Sequence, residues 1–247
     1  MAKAAPYLVG RLAGKQFRKA KWMWQSFAGN EDEAIQAEHA VGRDMATVVK
    51  EQARERGKGD PEFQVLLDDI AKPLAERVKN RNYRFEVTVL LSDNPTAFAL
   101  PGGFIFIAPA LVELAEKNAD ELAFVIGHEM AHVIRRHAID RILSQKALSM
   151  ASLATPTGRA IAPWLRSVGM QWLEKAYSRE QEYEADILGS RLAQVAGFDP
   201  HGALRMLERF RSLEGSSDPI GLGAYLSTHP PINDRQQHIR EQLRLDR

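Results

Sequence analysis

Apolar residues recur with a helical period in the first well-patterned stretch of the chain. Between Glu31 and Gln52 they fall on one face of a helix and leave the charged residues on the others. The members of this apolar stripe are Ala34, Ala37, Val41, Met45 and Val48. A second helix is predicted to begin near Pro61, because proline suits a first helical turn, and to be interrupted at Pro73.

The period changes from helical spacing to two residues in the segment Tyr83–Leu91, where apolar and polar side chains alternate. Such alternation is typical of a half-buried strand. The turn Pro101-Gly102-Gly103 leads into a second predicted strand, Phe104–Ile107, and after Pro109 the pattern is helical almost throughout. We therefore expect an α+β fold that is mostly α, with a small β-sheet.

Composition and charge exclude several classes of function. The chain has 247 residues, of which 45% are hydrophobic, so it can bury one sizeable core. Its 33 Lys and Arg residues balance 32 Asp and Glu residues, and it lacks the overall positive charge that drives nucleic-acid binding, so we expect no nucleic-acid partner. The chain has no cysteine, which leaves only His, Asp and Glu as metal ligands.

The N-terminal segment, residues 7–28, is basic and contains no acidic residue. Its apolar residues on another helical face are Phe17, Ala20, Trp24 and Phe27. This pattern favours an arm packed on its own domain with its lysines in water, and the alternative is an amphipathic helix that docks on an anionic membrane surface or a partner. We divide the chain into a basic amphipathic arm, residues 1–30, and one domain, residues 31–247.

The localisation prediction rests on two absent signals. No stretch reaches the roughly 18–20 uninterrupted apolar residues that a membrane span needs, and the first residues lack the features of a secretory signal. We expect a cytoplasmic protein that is membrane-peripheral if residues 7–28 dock there, or an exported protein if a leader has been removed.

The segment 122–134 is apolar on nearly every side, and residues 118–121 before it have the composition of a capping box, so a buried helix is predicted. Within it, His128 and His132 lie one turn apart on one face and can both bind one zinc ion. Glu129 lies on the flank, where it can reach a water on that ion. The alternative, two histidines satisfied by backbone carbonyls, would bury two polar rings and a carboxylate with nothing to neutralise them.

A catalytic zinc needs three protein ligands and an open position for water. A longer motif with a third histidine six residues after the second is absent, because Arg135 and Ala138 occupy its glycine and histidine positions. His137 is one residue out of register with that motif, and we expect it to face solvent.

A capping box at the start and a glycine at the end predict a further helix from Ser178 to Gly197. Its apolar stripe, extended back by one turn, includes Glu182, whereas Glu180 and Glu184 lie about 160° round the helix. Glu182 is therefore an inward-facing carboxylate, and Asp186, one turn later, can accept the second ring N–H of a ligating histidine. The alternative, a solvated acidic helix start, fits Glu180 and Glu184 better.

Taken together, HEMAH, SREQEYEAD, NPTAFALPGGFIFI and THPPINDR resemble motifs of the gluzincin zinc metallopeptidases, over about residues 85–235. This family includes CAAX prenyl endopeptidases, HtpX-type quality-control proteases and mitochondrial Oma-type enzymes, and the chain is similar to its small soluble bacterial members. The resemblance implies a single gluzincin domain with a small sheet beside the helix that carries the two histidines. It also implies one zinc ion per chain held by His128, His132 and Glu182, with Glu129 as the general base and Asp186 behind a ligand.

The resemblance also implies that the segment Thr96-Ala97-Phe98 is the edge strand on which substrate lies. Thr96 stands where the family more often has asparagine, but backbone pairing does not depend on that side chain. His229 and Arg235 match a histidine-proline and arginine element of the family. His229 then donates to the oxyanion or occupies the open zinc position, and Arg235 pairs with a carboxylate of the site. The alternative is a proline-stiffened structural loop.

These expectations together predict a zinc-dependent endopeptidase that hydrolyses peptide bonds in extended or unfolded protein segments, with Glu129 acting on a zinc-bound water. The alternative is a zinc-containing binding module or holdase that grips unfolded chains without cleaving them. Residues 144–169, rich in small residues and prolines, are a candidate lid.

Overall fold

The computed structural model describes residues 30–54, 60–92, 94–138, 177–213 and 231–245. The elements in these ranges are mostly helices, with one small sheet, as the sequence pattern predicts. The helices are α1 (Glu31–Arg54), α2 (Pro61–Arg77), α3 (Pro109–Leu114), α4 (Ala119–Ile134), α5 (Arg179–Ala196), α6 (His201–Ser212) and α7 (Ile232–Leu243). The strands are β1 (Glu86–Val89), β2 (Ala97–Leu100) and β3 (Phe104–Ile107).

The sheet has β3 in its centre, with β1 parallel to it on one side and β2 antiparallel on the other. All four residues of β3 are buried, which explains its unbroken apolar sequence. Phe104 and Phe106 pack towards α1 in a small cluster, whereas Ile105 and Ile107 belong to the main core between the sheet and the other helices. The sheet therefore has helices on both faces.

The outer edge of β1 is occupied by a side chain of α2. The amide nitrogen of Gln64 donates to the carbonyl of Val87 at 2.8 Å, and its amide oxygen accepts from the backbone N–H of Val89 at 3.0 Å. This amide takes the place of a neighbouring strand, because it satisfies one acceptor and one donor of the exposed backbone.

The helix α4 is buried along almost its whole length, from Glu121 to Val133. Asn118 caps its start, because its side-chain oxygen accepts from the backbone N–H groups of Asp120 and Glu121 at 3.1 and 3.2 Å. The helix packs against α5, α6, α2 and β2, and this confirms the prediction of a buried helix.

The helix α5 begins and ends where the sequence predicts. Ser178 and Gln181 form a reciprocal capping box, and Gly197 ends the helix in a left-handed conformation with φ of 101°.

Two glycines set the distance between α4 and α5. A Cβ atom added to Gly127 would lie 2.7 Å from the carbonyl oxygen of Gly189, and one added to Gly189 would lie 2.5 Å from the backbone nitrogen of His128. Both distances are too short for any side chain, so the helices can approach this closely only because both positions are glycine.

Two predictions about these elements were wrong in detail. The helix expected to be interrupted at Pro73 continues to Arg77, because Ile70 and Leu74 are buried on either side of the proline and their packing outweighs the lost hydrogen bond. The strand expected over Tyr83–Leu91 is confined to Glu86–Val89, whereas Phe104–Ile107 is confirmed.

Candidate metal centre

Two helices bring two histidines and a carboxylate together. The Nε2 atoms of His128 and His132, both on α4, are 3.1 Å apart. Oε2 of Glu182, on α5, lies 3.5 Å from Nε2 of His128, and Oε1 lies 3.7 Å from Nε2 of His132. The side chains are buried, and their donor atoms all lie within 4.8 Å of one another, so they can hold one metal ion.

The helical repeat explains why these side chains meet and their neighbours do not. His128 and His132 are four residues apart and project from the same face of α4. On α5, Glu182 is fully buried, whereas Glu180 and Glu184 are exposed, as the apolar stripe of that helix predicts.

A buried ion pair contacts Nδ1 of His128 and fixes the orientation of its ring. Oδ1 of Asp186 lies 3.0 Å from Nδ1 of His128. Arg235, on α7, donates from Nε to Oδ2 of Asp186 at 2.8 Å and from Nη2 to Oδ1 at 2.6 Å. When Nδ1–H of His128 donates to this fixed carboxylate, its Nε2 carries the lone pair on the side of Glu182.

The charges around His128 couple metal binding to the loss of a proton from its ring. Burial disfavours the charged ring of His128, but its contacts with Asp186 and Glu182 outweigh burial and raise its pKa to about 9. Burial also opposes ionisation of Asp186, yet Arg235 and His128 hold the pKa of its carboxyl well below the usual range. A metal ion that binds Nε2 of His128 must therefore displace a proton near neutral pH.

Glu129 lies beside this centre in a small, largely apolar cavity. The cavity is bordered by His128, Glu129 and Arg235 and by the apolar side chains of Ala97, Leu111, Phe124, Val125 and Phe210. Glu129 is 7% exposed, so its carboxyl group is sheltered from bulk water. Ala97 brings the strand β2 to the rim of the same cavity.

The sequence pattern of peptidase family M48 matches residues 61–243, a range that contains His128, His132, Glu182 and Arg235. The chain belongs to peptidase family M48. This match confirms the family resemblance that the motifs around His128 and Glu182 predict.

Named relatives of this M48 chain are metallopeptidases from several organisms. The mitochondrial metalloendopeptidase OMA1 of Schizosaccharomyces pombe is 33% identical over 164 residues, which are 65% of this chain and 47% of that protein. OMA1 of Arabidopsis thaliana is 32% identical over 219 residues, 87% of this chain and 44% of that protein. The metalloprotease LoiP of Escherichia coli is 26% identical over 190 residues, 75% of this chain and 72% of that protein. The chain thus spans less than half the length of the two mitochondrial relatives.

One prediction about the M48 centre was wrong: His137 does not face solvent. It is 3% exposed, and its Nδ1 lies 2.9 Å from Nδ1 of His132. The prediction rested on the register of His137 relative to the longer motif, but α4 ends at Ile134 and Arg136 takes a left-handed conformation with φ of 60°. This turn brings His137 back against His132, and a helical repeat cannot indicate it.

A second contact that sequence reasoning missed is the ring of Tyr177, which stacks on His132 with ring centroids 3.9 Å apart. No periodic signal indicates it, because Tyr177 precedes the first turn of α5. The ring packs nearly parallel to the imidazole of His132 and so restricts its orientation.

Several predicted features of the M48 chain lie outside the described residues. These are His229, the basic segment 7–28 and the candidate lid 144–169. Within the ranges that the structure describes, no helix combines the length and the apolar character needed to cross a bilayer. Thr96, Ala97 and Phe98 are described, and Ala97 and Phe98 begin β2.

Proposed function

We propose that this M48 chain is a zinc-dependent endopeptidase of the gluzincin type, whose domain extends over residues 31–247. The observation that carries the proposal is the convergence of His128, His132 and Glu182 in a buried centre with Glu129 beside it. The names of the OMA1 and LoiP relatives support the same class of activity.

The donor set suits zinc. Neighbouring ligands of a tetrahedral zinc ion at about 2.0–2.1 Å lie about 3.3 Å apart. The two Nε2 atoms are 3.1 Å apart, Oε2 of Glu182 lies 3.5 Å from that of His128, and Oε1 lies 3.7 Å from that of His132, so the side chains are spaced for one ion. Two imidazoles and one carboxylate leave a fourth position for water, as in catalytic zinc sites, whereas magnesium and calcium prefer oxygen ligands alone.

The charge balance also favours a cation here. Glu182 is fully buried and lies against the imidazole rings of His128 and His132. A divalent ion bound between these side chains would offset the cost of burying the carboxylate and would replace the proton of His128 as the positive charge there.

Glu129 carries the proton transfers in the proposed mechanism. When bound, zinc acts as a Lewis acid on water and on the peptide carbonyl. The carboxylate of Glu129 takes a proton from the water while the water oxygen attacks the carbonyl carbon. Glu129 then delivers that proton to the amine nitrogen as the C–N bond breaks. The sheltered position of Glu129 keeps bulk water from competing for this proton. His229 is proposed as a donor to the oxyanion.

Substrate recognition is proposed at β2. The backbone N–H of Ala108 donates to the carbonyl of Thr96 at 2.9 Å, so by the alternation of an antiparallel ladder the backbone groups of Ala97 point away from β3. An extended peptide can pair there beside Glu129, because Ala97 and Glu129 border the same cavity. This mode of binding suits unfolded segments, because it requires a chain without its own secondary structure.

Two variants and a matched control test the proposal. Glu129→Gln should keep zinc and lose casein cleavage, whereas Glu182→Ala should lose stoichiometric zinc. Glu180→Ala, at an exposed position on the same helix, should keep both. A chelator should abolish cleavage by the wild type. Cleavage by Glu129→Gln would contradict the general-base role, and a zinc-loaded wild type that binds casein without cutting it would favour the holdase.

The other regions keep their predicted roles as proposals. The basic arm, residues 1–30, keeps two hypotheses: packing on its own domain, and contact of segment 7–28 with an anionic membrane. Co-sedimentation of the chain with vesicles containing anionic lipid, with and without that segment, tests this contact.

A further inference from the structure

The contacts of His132 on the side away from the centre form a continuous chain of polar atoms. Nδ1 of His132 faces Nδ1 of His137 at 2.9 Å, and Nε2 of His137 faces Oε2 of Glu184 at 3.3 Å. Glu184 is half-exposed, with 54% of its side chain accessible, whereas both histidines are buried. These contacts therefore connect the protein surface, at Glu184, to His132 of the metal centre.

One arrangement of protons satisfies both of these contacts when the two rings are neutral. A carboxylate accepts hydrogen bonds, so Nε2 of His137 must carry the proton that faces Glu184. Nδ1 of His137 is then an acceptor, and it accepts the Nδ1 proton of His132. His132 is left with its lone pair on Nε2, the atom that faces His128 and Glu182.

The backbone around His137 is held in place by contacts outside the centre. Arg136, which takes the left-handed conformation, donates from Nε to Oε1 of Glu38 at 2.7 Å, and Glu38 on α1 is 2% exposed. The hydroxyl of Tyr83 donates to the carbonyl of Ile134 at 3.3 Å. A non-glycine residue in this conformation is strained, so the fold stabilises a turn whose effect is to place His137 against His132.

We infer that Glu184 and His137 form a relay that orients His132 for metal binding and fixes which of its nitrogens carries the proton. The inference rests on the proposed function, because it concerns a ligand of the proposed zinc site. His137 and Glu184 are positioning residues: they act on the metal through His132. Glu184 thereby has a part in the centre although it points away from it.

The experiment measures zinc affinity of the full chain by competition with a chromophoric chelator, and the visible spectrum of the cobalt-substituted protein. His137→Leu removes the acceptor and should weaken zinc binding by about 10–100-fold, the usual effect of losing the partner of a ligating histidine. It should also change the cobalt spectrum. His137→Asn supplies an amide oxygen where Nδ1 was, and should recover most of the affinity.

A double variant separates the relay from general damage to the fold. Glu184→Ala should weaken zinc binding in the wild-type background, but should have no further effect in His137→Asn, because the amide no longer connects to residue 184. Glu180→Ala is the control and should match the wild type. Equal affinities for His137→Leu and His137→Asn, or for Glu184→Ala and Glu180→Ala, would overturn the inference.

Two further outcomes also decide the matter. If His137→Leu does not fold, the Glu184→Ala and Glu180→Ala pair still decides, because both positions are exposed. A folded wild type that binds no zinc would overturn the proposed function itself. A wild type that binds zinc tightly, beside His137 and Glu184 variants that do so equally well, would overturn only the relay.

Discussion

The two histidines of the centre are supported from behind by different kinds of contact. Behind His128, Asp186 and Arg235 form an ion pair in which both side chains are almost completely buried. Behind His132, the support runs through His137 to the half-exposed Glu184. Each support contains one carboxylate, and both leave the Nε2 lone pair on the side of Glu182.

The two supports differ in how much stability the fold loses when a member of the support is removed. The buried ion pair cannot lose one partner without leaving a charge in the core, so it ties the centre to the stability of the fold and to α7. The support that ends at Glu184 can lose its carboxylate to solvent at little cost. We therefore expect changes behind His128 to affect folding and metal binding together, and changes behind His132 to affect metal binding alone.

The largest effect is expected for Asp186→Ala. It leaves the guanidinium of Arg235 buried without its counter-charge, which should lower the free energy of unfolding by about 3–5 kcal/mol. Urea denaturation followed by circular dichroism measures this. Glu184→Ala should cost less than about 1 kcal/mol. Similar costs for the two variants would contradict the proposed difference, and Asp186→Ala combined with Arg235→Met should recover part of the loss.

An intermediate effect is expected where the two helices cross. Gly189→Ala places a methyl group against the backbone at His128, and should cost about 1–3 kcal/mol through overpacking while also weakening zinc binding. Gly197→Ala is the matched control. It has no atom within 4 Å of the new Cβ but a φ of 101°, so it should lower stability through backbone strain and leave zinc affinity unchanged. Equal zinc affinities for the two variants would show that the crossing does not position the ligands.

The last prediction concerns the pH dependence of zinc binding and of stability. Because the pKa of His128 is raised to about 9, zinc must displace a proton below that pH, and the apparent affinity should rise about tenfold per pH unit up to it. In the metal-free protein, the raised pKa stabilises the fold fully below about pH 6.5, the unperturbed value, and this contribution is lost as the pH rises through about 9.

The same titration distinguishes the two supports. Asp186→Asn removes a carboxylate that raises the pKa of His128. The pH range over which zinc affinity rises should therefore end at a lower pH. Glu184→Ala acts on His132 and should leave this pH range unchanged. Zinc titrations between pH 6 and 9 in the two variants test this, and a shift in the Glu184 variant instead would reverse the assignment.

Local signals account for what the sequence alone could predict. The capping box at Ser178, the left-handed Gly197 and the stripe that turns Glu182 inward all depend on residues within a few turns of one helix. The buried helix around His128 was equally evident, because its apolar residues surround it on every side. These elements carry the ligands of the proposed zinc site, which is why that site could be predicted.

Features that depend on distant residues could not be predicted in the same way. The position of His137 depends on the turn at Arg136, which pairs with Glu38 almost a hundred residues earlier in the chain. The order β1-β3-β2 depends on pairing between strands, and no local pattern defines it. The continuation of α2 through Pro73 depends on burial of Ile70 and Leu74 against other elements.

The amide of Gln64 at β1 bears on how copies of the chain can associate. A protein that recognises extended peptides by strand addition risks recognising the strands of its own copies. Gln64 already holds the carbonyl of Val87 and the backbone N–H of Val89, so a strand of another copy could pair with β1 only by displacing this amide. Within the described residues, one side chain therefore disfavours association of copies through β1.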